Sequence, residues 1–249
     1  MQIEDKTVLI TGGAGGIGKF LVEHFSGVAN KVIALDINKA ELDNLQSENK
    51  NVSCYNCDVT DFNQVAKTID KVIEDHGVAN ILINNAGWIY SAPLINMLSK
   101  SDRKHDPETW RKVIDTNLNS VFYMTSCIVD KMISNRTKGL IINVSTISAD
   151  GIVGQSAYAA AKAGVRALTS VWSKELAIHG IRCAAYAPGI VDSPSMDEAL
   201  SEAHIKKWEK AIPLGRFCSM EEILKTVKFI IDNDYFNSKV LPIDGGLAV

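Results

Sequence analysis

A glycine-rich segment directly after the first apolar run most constrains the fold of this chain. The run Thr7 to Thr11 leads into Gly12-Gly13-Ala14-Gly15-Gly16-Ile17-Gly18, and a helical pattern follows from Lys19. Without side chains the backbone can approach a pyrophosphate closely, and the amides and positive end of the helix hold its negative charge. The segment fits both the GxGxxG and the TGxxxGxG patterns. Glycine-rich turns also occur only to reverse the chain, so the match depends on its context.

Short apolar runs alternate with amphipathic stretches from one end of the chain to the other. This alternation predicts a parallel sheet with helices on both faces, and strands rich in Val, Ile and Leu fit burial on both faces. We predict one Rossmann-type, doubly wound α/β domain over residues 1–249, with ligands at the carboxyl ends of the strands. The seven predicted strands are Thr7–Thr11, Lys31–Asp36, Val52–Asp58, Ile81–Asn84, Gly139–Ser145, Ile181–Ala187 and Val240–Ile243.

Composition and charge argue against several classes of protein. A net charge of -3 gives no basic field for nucleic acid, and no apolar stretch is long enough to span a bilayer. The first predicted strand begins too soon after Met1 for a signal peptide, so we expect a cytoplasmic protein. The scattered cysteines, including the CxxC pair Cys54 and Cys57, predict reduced thiols, and the five histidines show no metal-ligand spacing.

A carboxylate at the end of the second predicted strand bears on the cofactor. Asp36 can accept hydrogen bonds from both hydroxyls of an adenosine ribose and would repel a 2′-phosphate, which predicts NAD(H) over NADP(H). No arginine follows it, and Lys19 and Lys39 are the nearest cations. The structural alternative is that Asp36 only caps the next helix.

At this point the chain resembles the short-chain dehydrogenase/reductase family, with landmarks from Thr7 to Gly245-Gly246. Asp58-Val59 matches the family's adenine-side pair, Asn84 to Gly87 matches its NNAG segment, and Pro188-Gly189 matches its PG turn. The resemblance implies that Asp58 contacts the adenine amine, that the Asn85 to Gly87 backbone lines the ribose, and that Val191 bonds the nicotinamide amide. The implied cofactor-binding set is Gly12, Gly15, Gly16, Ile17, Gly18, Asp36, Ile37, Asp58, Val59, Asn85, Ala86, Gly87, Tyr158, Lys162, Pro188, Gly189, Val191 and Ser193.

The catalytic residues implied by the resemblance are Asn117, Ser145, Tyr158 and Lys162. Tyr158 and Lys162 are spaced i, i+4, so both share one helix face. Free tyrosine ionises near pH ~10, and a nearby ammonium with an oxidised nicotinamide favours the phenolate, so Tyr158 is predicted to be the acid in reduction and the base in oxidation. Ser145 would hydrogen-bond the substrate oxygen, and Asn117 would anchor a water that relays protons to Lys162.

Each of these residues alone has a plainer interpretation, as a helix surface pair, a strand-end cap or an ordinary helical asparagine. Together, and in the family's order, they predict an oxidoreductase acting on a small carbonyl or alcohol substrate. A protein that senses NAD or serves as a scaffold without turnover remains the alternative from another class.

Substrate choice is predicted to lie in a lid over residues 193–217. Its apolar residues Met196, Leu200, Ile205 and Trp208 are typical of a lid stripe, and equally of core packing. Residues 100–106 form a charged insertion beside the cleft or a solvated loop.

The subfamily resemblance rests on residues 212–217 and 240–246, which are similar to 3-oxoacyl-carrier-protein reductases and to hydroxyacyl and polyol dehydrogenases. Those reductases usually take NADPH, against the prediction from Asp36, and of two arginines that meet the acyl-carrier protein only Arg136 is present, with His179 at the other position. The resemblance also implies a homotetramer through helices over residues 106–134 and 155–179 and the C-terminal strand, whereas the residues alone allow a dimer equally.

Overall fold

The computed structural model describes residues 1–99, 101–193 and 202–247. Its strands form a seven-stranded parallel sheet in the order β3-β2-β1-β4-β5-β6-β7. The strands are β1 (Thr7–Thr11), β2 (Lys31–Asp36), β3 (Val52–Asn56), β4 (Ile81–Asn84), β5 (Gly139–Val144), β6 (Ile181–Pro188) and β7 (Val240–Ile243). The predicted Rossmann-type α/β fold is therefore confirmed.

Helices cover both faces of this sheet. The α-helices among the described residues are α1 (Gly16–Ser26), α2 (Lys39–Glu48), α3 (Phe62–His76), α4 (Pro107–Ile114), α5 (Ser120–Ser134), α6 (Ser156–Glu175), α7 (Glu202–Ala211) and α8 (Met220–Asp232). Apolar side chains of α1, α2 and α8 pack on one face, and those of α3 and α5 pack on the other. No helix in the described part of the chain is both long and apolar enough to cross a membrane.

Three strand ends differ from the prediction by one or two residues. β3 ends at Asn56 because the Asp58 amide leaves the sheet and donates to Gln64 Oε1 at 2.7 Å. β5 ends at Val144, although the Ser145 amide still donates to Tyr186 O at 2.8 Å. β6 extends to Pro188, which pairs with Ile243.

The helix predicted over residues 106–134 is not one regular helix. A π-helical segment, Asp115–Asn119, separates α4 from α5, and side chains there bond back to the chain, as when Thr116 Oγ1 donates to Lys112 O at 2.8 Å. The helix predicted over residues 155–179 ends as α-helix at Glu175, and a 3₁₀ turn, Ala177–His179, follows.

The strand order reverses between β1 and β4. From β1 the chain adds β2 and β3 on one side, and it then crosses back to add β4 to β7 on the other side. In such sheets the loops at the carboxyl ends separate and leave a crevice at the reversal. The loops after β1, β2, β4, β5 and β6 lie along this edge, and they carry most of the predicted site residues.

Candidate active site

The loops after β1 and β4 are bound together at the reversal point. The Asn85 Nδ2 amide donates to Thr11 O at 3.0 Å and to Gly12 O at 3.2 Å. In return, Thr11 Oγ1 accepts from the backbone amides of Asn85 and Ala86 at 3.1 and 3.0 Å. Thr11 and the Asn85 side chain therefore fix the distance between the loop after β1 and the loop after β4.

The glycines of the loop have two different tasks. A Cβ on Gly18 would lie 2.0 Å from Gly12 O, so only glycine lets α1 pack so closely on the loop. Gly12 itself has φ of +63°, which favours glycine. A Cβ on Gly15 or Gly16 would meet no protein atom within 4 Å, and both residues line the cleft. Gly12 and Gly18 thus shape the loop, Gly15 leaves space above α1 for a ligand, and Gly16, whose φ of +49° also favours glycine, does both.

Asp36 ends β2 beside this loop. Its Oδ2 accepts from the Ala14 amide at 3.1 Å and its Oδ1 from the Asn38 amide at 2.9 Å. The N-cap of α2 is Asn38, whose side chain accepts from the Glu41 amide at 3.3 Å, so the alternative that Asp36 is only a helix cap is wrong. Two backbone donors fix the carboxylate at the rim of the cleft.

A neighbouring cavity of about 630 Å³ continues from Asp36. Ile37, Asp58 and Val59 line it, as does the loop after β4. Asp58 Oδ1 accepts from both the amide and the hydroxyl of Thr60, at 2.9 and 2.7 Å, which fixes this carboxylate as well. The predicted adenine-side residues therefore lie together, with geometry suited to an adenosine group.

The cleft proper has a volume of about 820 Å³. It brings together residues from both ends of the predicted site, and Asn117 and Gly18 lie outside its lining. The predicted residues that line it are Gly12, Gly15, Gly16, Ile17, Asp36, Asn85, Ala86, Gly87, Ser145, Tyr158, Lys162, Pro188, Gly189, Val191 and Ser193.

Tyr158 and Lys162 occupy one face of α6, and both are almost fully buried. The Lys162 ammonium lies 5.8 Å from the centroid of the Tyr158 ring and donates to Val144 O at 2.8 Å. Burial raises the pKa of Tyr158 to about 12 and lowers the pKa of Lys162 to about 8, because each charged form loses its hydration. The expectation that the ammonium and an oxidised nicotinamide together favour the phenolate stays a prediction.

Ser145 follows β5 and is fully buried. Its Oγ donates to Lys162 O at 3.2 Å and accepts from the Arg166 Nε–H, also at 3.2 Å. Sequence reasoning missed Arg166, although its position four residues after Lys162 places it on the same helix face.

Asn117 lies in the π-helical segment with no exposed surface. Its Oδ1 accepts from the Trp88 amide at 3.1 Å, and its Nδ2 donates to Trp88 O and Val113 O at 2.8 and 2.9 Å. A Cβ on Gly87 would lie 2.8 Å from Asn117 Oδ1, so that glycine is needed for the approach. The side chain holds the loop after β4 in place; its role in a water relay stays a prediction.

The predicted lid is described in part. Ile205 and Trp208 of α7 pack against Ile147, Phe217 and Leu247, and Trp208 lines the cleft. Trp208 therefore borders the substrate side of the cleft, and both residues pack in a small core. Met196 and Leu200 lie outside the described residues.

The described part of the charged insertion pairs with the chain that precedes it. An antiparallel bridge joins Ile95 to Lys104, and Asn96 N donates to Arg103 O at 2.7 Å. Tyr90 contacts His105 edge to face with ring centroids 5.9 Å apart. The sequence did not predict this aromatic contact, whose only signal was the aromatic content of residues 88–110. Lys100 lies outside the described residues.

The substrate side of the cleft is mainly apolar. Among the described lining residues Lys162 is the only cation, and the polar side chains beside it include Ser91, Ser148 and Gln155. The apolar lining residues on this side are Ile89, Ile147, Ile152, Ile190, Trp208 and Leu247.

Known proteins resemble the chain over its whole length. A family model for short chain dehydrogenase matches residues 6–204. The 3-oxoacyl-[acyl-carrier-protein] reductase FabG of Thermotoga maritima is 40% identical, with 100% of both chains covered. Galactitol 2-dehydrogenase of Agrobacterium fabrum is 31% identical over 99% of this chain and 98% of its own. Sorbitol-6-phosphate 2-dehydrogenase of Klebsiella pneumoniae is 30% identical, covering 93% and 91%.

Proposed function

The chain belongs to the short-chain dehydrogenase/reductase family, and from this premise we propose that it transfers hydride between NAD(H) and a carbonyl or secondary alcohol of a small molecule. The observation that carries the proposal is that one cleft contains Ser145, Tyr158 and Lys162 together with the glycine loop and Asp36. A phosphate-binding loop and an acid–base pair in one cleft are the two components that hydride transfer needs.

In the proposed reaction Tyr158 gives its phenolic proton to the substrate oxygen during reduction and takes it back during oxidation. Ser145 donates a hydrogen bond to the same oxygen. Bound NAD(H) would supply or accept the hydride, and its oxidised ring would add the positive charge that favours the phenolate. Lys162, whose pKa burial lowers to about 8, can hold or release a proton near neutral pH.

Asp36 supports NAD(H) over NADP(H). Its carboxylate is fixed by the Ala14 and Asn38 amides at the point where the two cavities meet, and each oxygen keeps a second lone pair for a ribose hydroxyl. A 2′-phosphate there would place negative charge against negative charge.

The cleft favours an acyl substrate, and we propose a 3-oxoacyl or 3-hydroxyacyl compound. Its apolar walls suit an alkyl chain, and the relative with 40% identity is named for a 3-oxoacyl substrate. We propose an acyl-carrier protein as the carrier of that substrate, which the exposed Arg136, two residues after the end of α5, would contact.

Polyol oxidation is the second candidate, favoured by two relatives named as polyol dehydrogenases. A phosphorylated polyol would need a cation, and among the described lining residues Lys162 is the only one. Since Lys162 is buried and bonded to Val144 O, it is poorly placed to hold a phosphate.

The test is a set of initial rates with NADH, NADPH and NAD across 3-oxoacyl thioesters, 3-hydroxy acids, sugars and polyols. We expect turnover of acyl substrates with NADH, and a loss of at least about 100-fold in Tyr158→Phe with NADH affinity retained. Turnover of polyols alone would favour the second candidate. Tight NADH binding with no turnover of any substrate would instead support a sensing or scaffolding protein.

A further inference from the structure

Arg166 extends the row of functional residues on α6 by one turn. Tyr158, Lys162 and Arg166 are spaced at four-residue intervals and lie on one face of the helix. The Arg166 side chain is 25% exposed and its guanidinium makes three hydrogen bonds. It donates from Nε to Ser145 Oγ at 3.2 Å, from Nη2 to Thr146 O at 2.6 Å, and from Nη1 to Asp150 Oδ1 at 2.6 Å.

The bond to Ser145 limits where the serine proton can point. A hydroxyl has one proton and two lone pairs, and the Arg166 guanidinium, which has donors and no acceptor, occupies one of the lone pairs. The proton must therefore point away from the guanidinium. It points to Lys162 O at 3.2 Å, a long bond that a substrate oxygen in the cleft can replace.

A charged donor also strengthens the serine as a donor in its turn. Hydrogen bonds that involve an ionised group are stronger than neutral ones, and chains of hydrogen bonds polarise one another in a buried site. Ser145 is only 1% exposed, so water does not weaken this effect.

We propose that Arg166 is a positioning residue that acts through Ser145, orienting and polarising the hydroxyl that bonds the substrate oxygen. The proposal rests on the proposed hydride-transfer function. A purely structural role would instead have Arg166 brace the turn after β5 through Thr146 and Asp150.

A double-mutant cycle separates the two roles. Single-turnover oxidation of bound NADH is measured in wild type, Arg166→Met, Ser145→Ala and the double variant, with the best substrate of the panel. We expect Ser145→Ala to slow hydride transfer about 100-fold, since a lost donor to a developing oxyanion costs that much, and Arg166→Met about tenfold, since Ser145 then loses the donor that orients it. Because Arg166 acts through Ser145, the double variant should be no slower than Ser145→Ala. A further tenfold loss in the double variant would overturn the proposal.

Asp150→Asn is the matched control. It removes the ion pair with Arg166 and leaves the bonds to Ser145 and Thr146, so we expect a rate within about twofold of wild type. A loss equal to that of Arg166→Met would mean that the turn, and not Ser145, needs the guanidinium. NADH titration and thermal unfolding of each variant show whether the fold and the cofactor site are intact.

A crystal structure of Arg166→Met with NADH gives a readout that needs no turnover. We expect the Ser145 side chain to leave its rotamer or lose its bond to Lys162 O, and an unchanged Ser145 would contradict the proposal. Wild-type inactivity on the whole panel would count against the proposed function alone. The crystal structure would still show whether Arg166 orients Ser145.

Discussion

Burial moves the pKa values of Tyr158 and Lys162 apart, to about 12 and about 8. Both shifts have one cause, the loss of hydration of the charged form. The protein thus holds a neutral phenol next to a lysine that titrates near neutral pH. Burying the charged Lys162 ammonium lowers the free energy of unfolding.

We predict that this cost can be measured with Lys162→Met. The folded pKa of Lys162 lies below its unfolded value of 10.5, so between about pH 8 and 10.5 the unfolded chain binds more protons and wild-type stability rises with pH. The free energy of unfolding of Lys162→Met minus that of wild type should therefore become about 3 kcal/mol more negative between pH 8 and 10.5. The measurement is urea denaturation of both proteins at several pH values.

The raised pKa of Tyr158 lowers stability only above its unfolded value of 10.0, and it does so in both proteins. It therefore cancels in the comparison. Parallel pH profiles for wild type and Lys162→Met would contradict the prediction, since they would mean that the folded lysine keeps its ordinary pKa.

A second residue-scale prediction concerns cofactor choice at Asp36. Asp36→Asn removes the negative charge that repels a 2′-phosphate, and its single side-chain oxygen can still accept from one of the two backbone amides, of Ala14 or Asn38. We expect the ratio of kcat/KM with NADPH to kcat/KM with NADH to rise at least about tenfold, equal to 1.4 kcal/mol. Steady-state kinetics with both cofactors checks it, and an unchanged ratio would place the preference elsewhere.

At the residue scale, spacing along the chain predicted which side chains share one face of a helix. Tyr158 and Lys162 could be placed on a common face because they are one helical turn apart. The link from Arg166 to Ser145 joins α6 to the end of β5, and no local pattern reveals such a contact. The effect of burial on Tyr158 was missed for the same reason, since burial is a property of the packed site.

At the element scale, the glycine loop offers a matched pair of substitutions. Gly18→Ala would place a Cβ 2.0 Å from Gly12 O, a backbone atom that cannot turn away, and α1 must shift. We expect a loss of about 2 to 3 kcal/mol in the free energy of unfolding and a loss of NADH binding.

Gly15→Ala is the control. Gly15 is the N-cap of α1 with φ of -145°, and its new Cβ would meet no protein atom within 4 Å. Stability should stay within about 1 kcal/mol of wild type, while NADH affinity falls because the methyl faces the cleft. Chemical denaturation measures the stability of each variant, and NADH titration measures its cofactor affinity. Equal destabilisation by Gly15→Ala and Gly18→Ala would contradict the prediction that only Gly18 is needed for the packing of α1.

Elements with their own apolar periodicity were predicted from the sequence. Elements that depend on contacts with other segments of the chain were not. The strands carry their own apolar pattern, so seven were found with small errors at their ends. The bridge between Ile95 and Lys104 and the contact of Tyr90 with His105 each join residues that no local periodicity links. The π-helical segment likewise depends on Asn117 bonding to Trp88, far along the chain.

At the scale of the whole molecule, the helices over one face of the sheet leave apolar side chains uncovered. Phe122 of α5 is 49% exposed, Val171 of α6 is 47% exposed, and Ile178 beyond α6 is 87% exposed. Exposed apolar groups on neighbouring helices are typical of an interface between subunits. They support the proposal of a homotetramer, in which α5 and α6 would pack against their copies.

A substitution on this face tests the assembly without disturbing the chain. Because Val171 is 47% exposed in the single chain, Val171→Glu should change the stability of an isolated subunit little, but it would bury two like charges across a twofold interface. We expect wild type to sediment at four times the chain mass and Val171→Glu as a dimer, since a tetramer with perpendicular twofold axes keeps its other interface. Val28→Glu, at an exposed position after α1 on the opposite face, should remain a tetramer. A monomeric wild type, or an unchanged mass in Val171→Glu, would show that α6 meets no copy of itself.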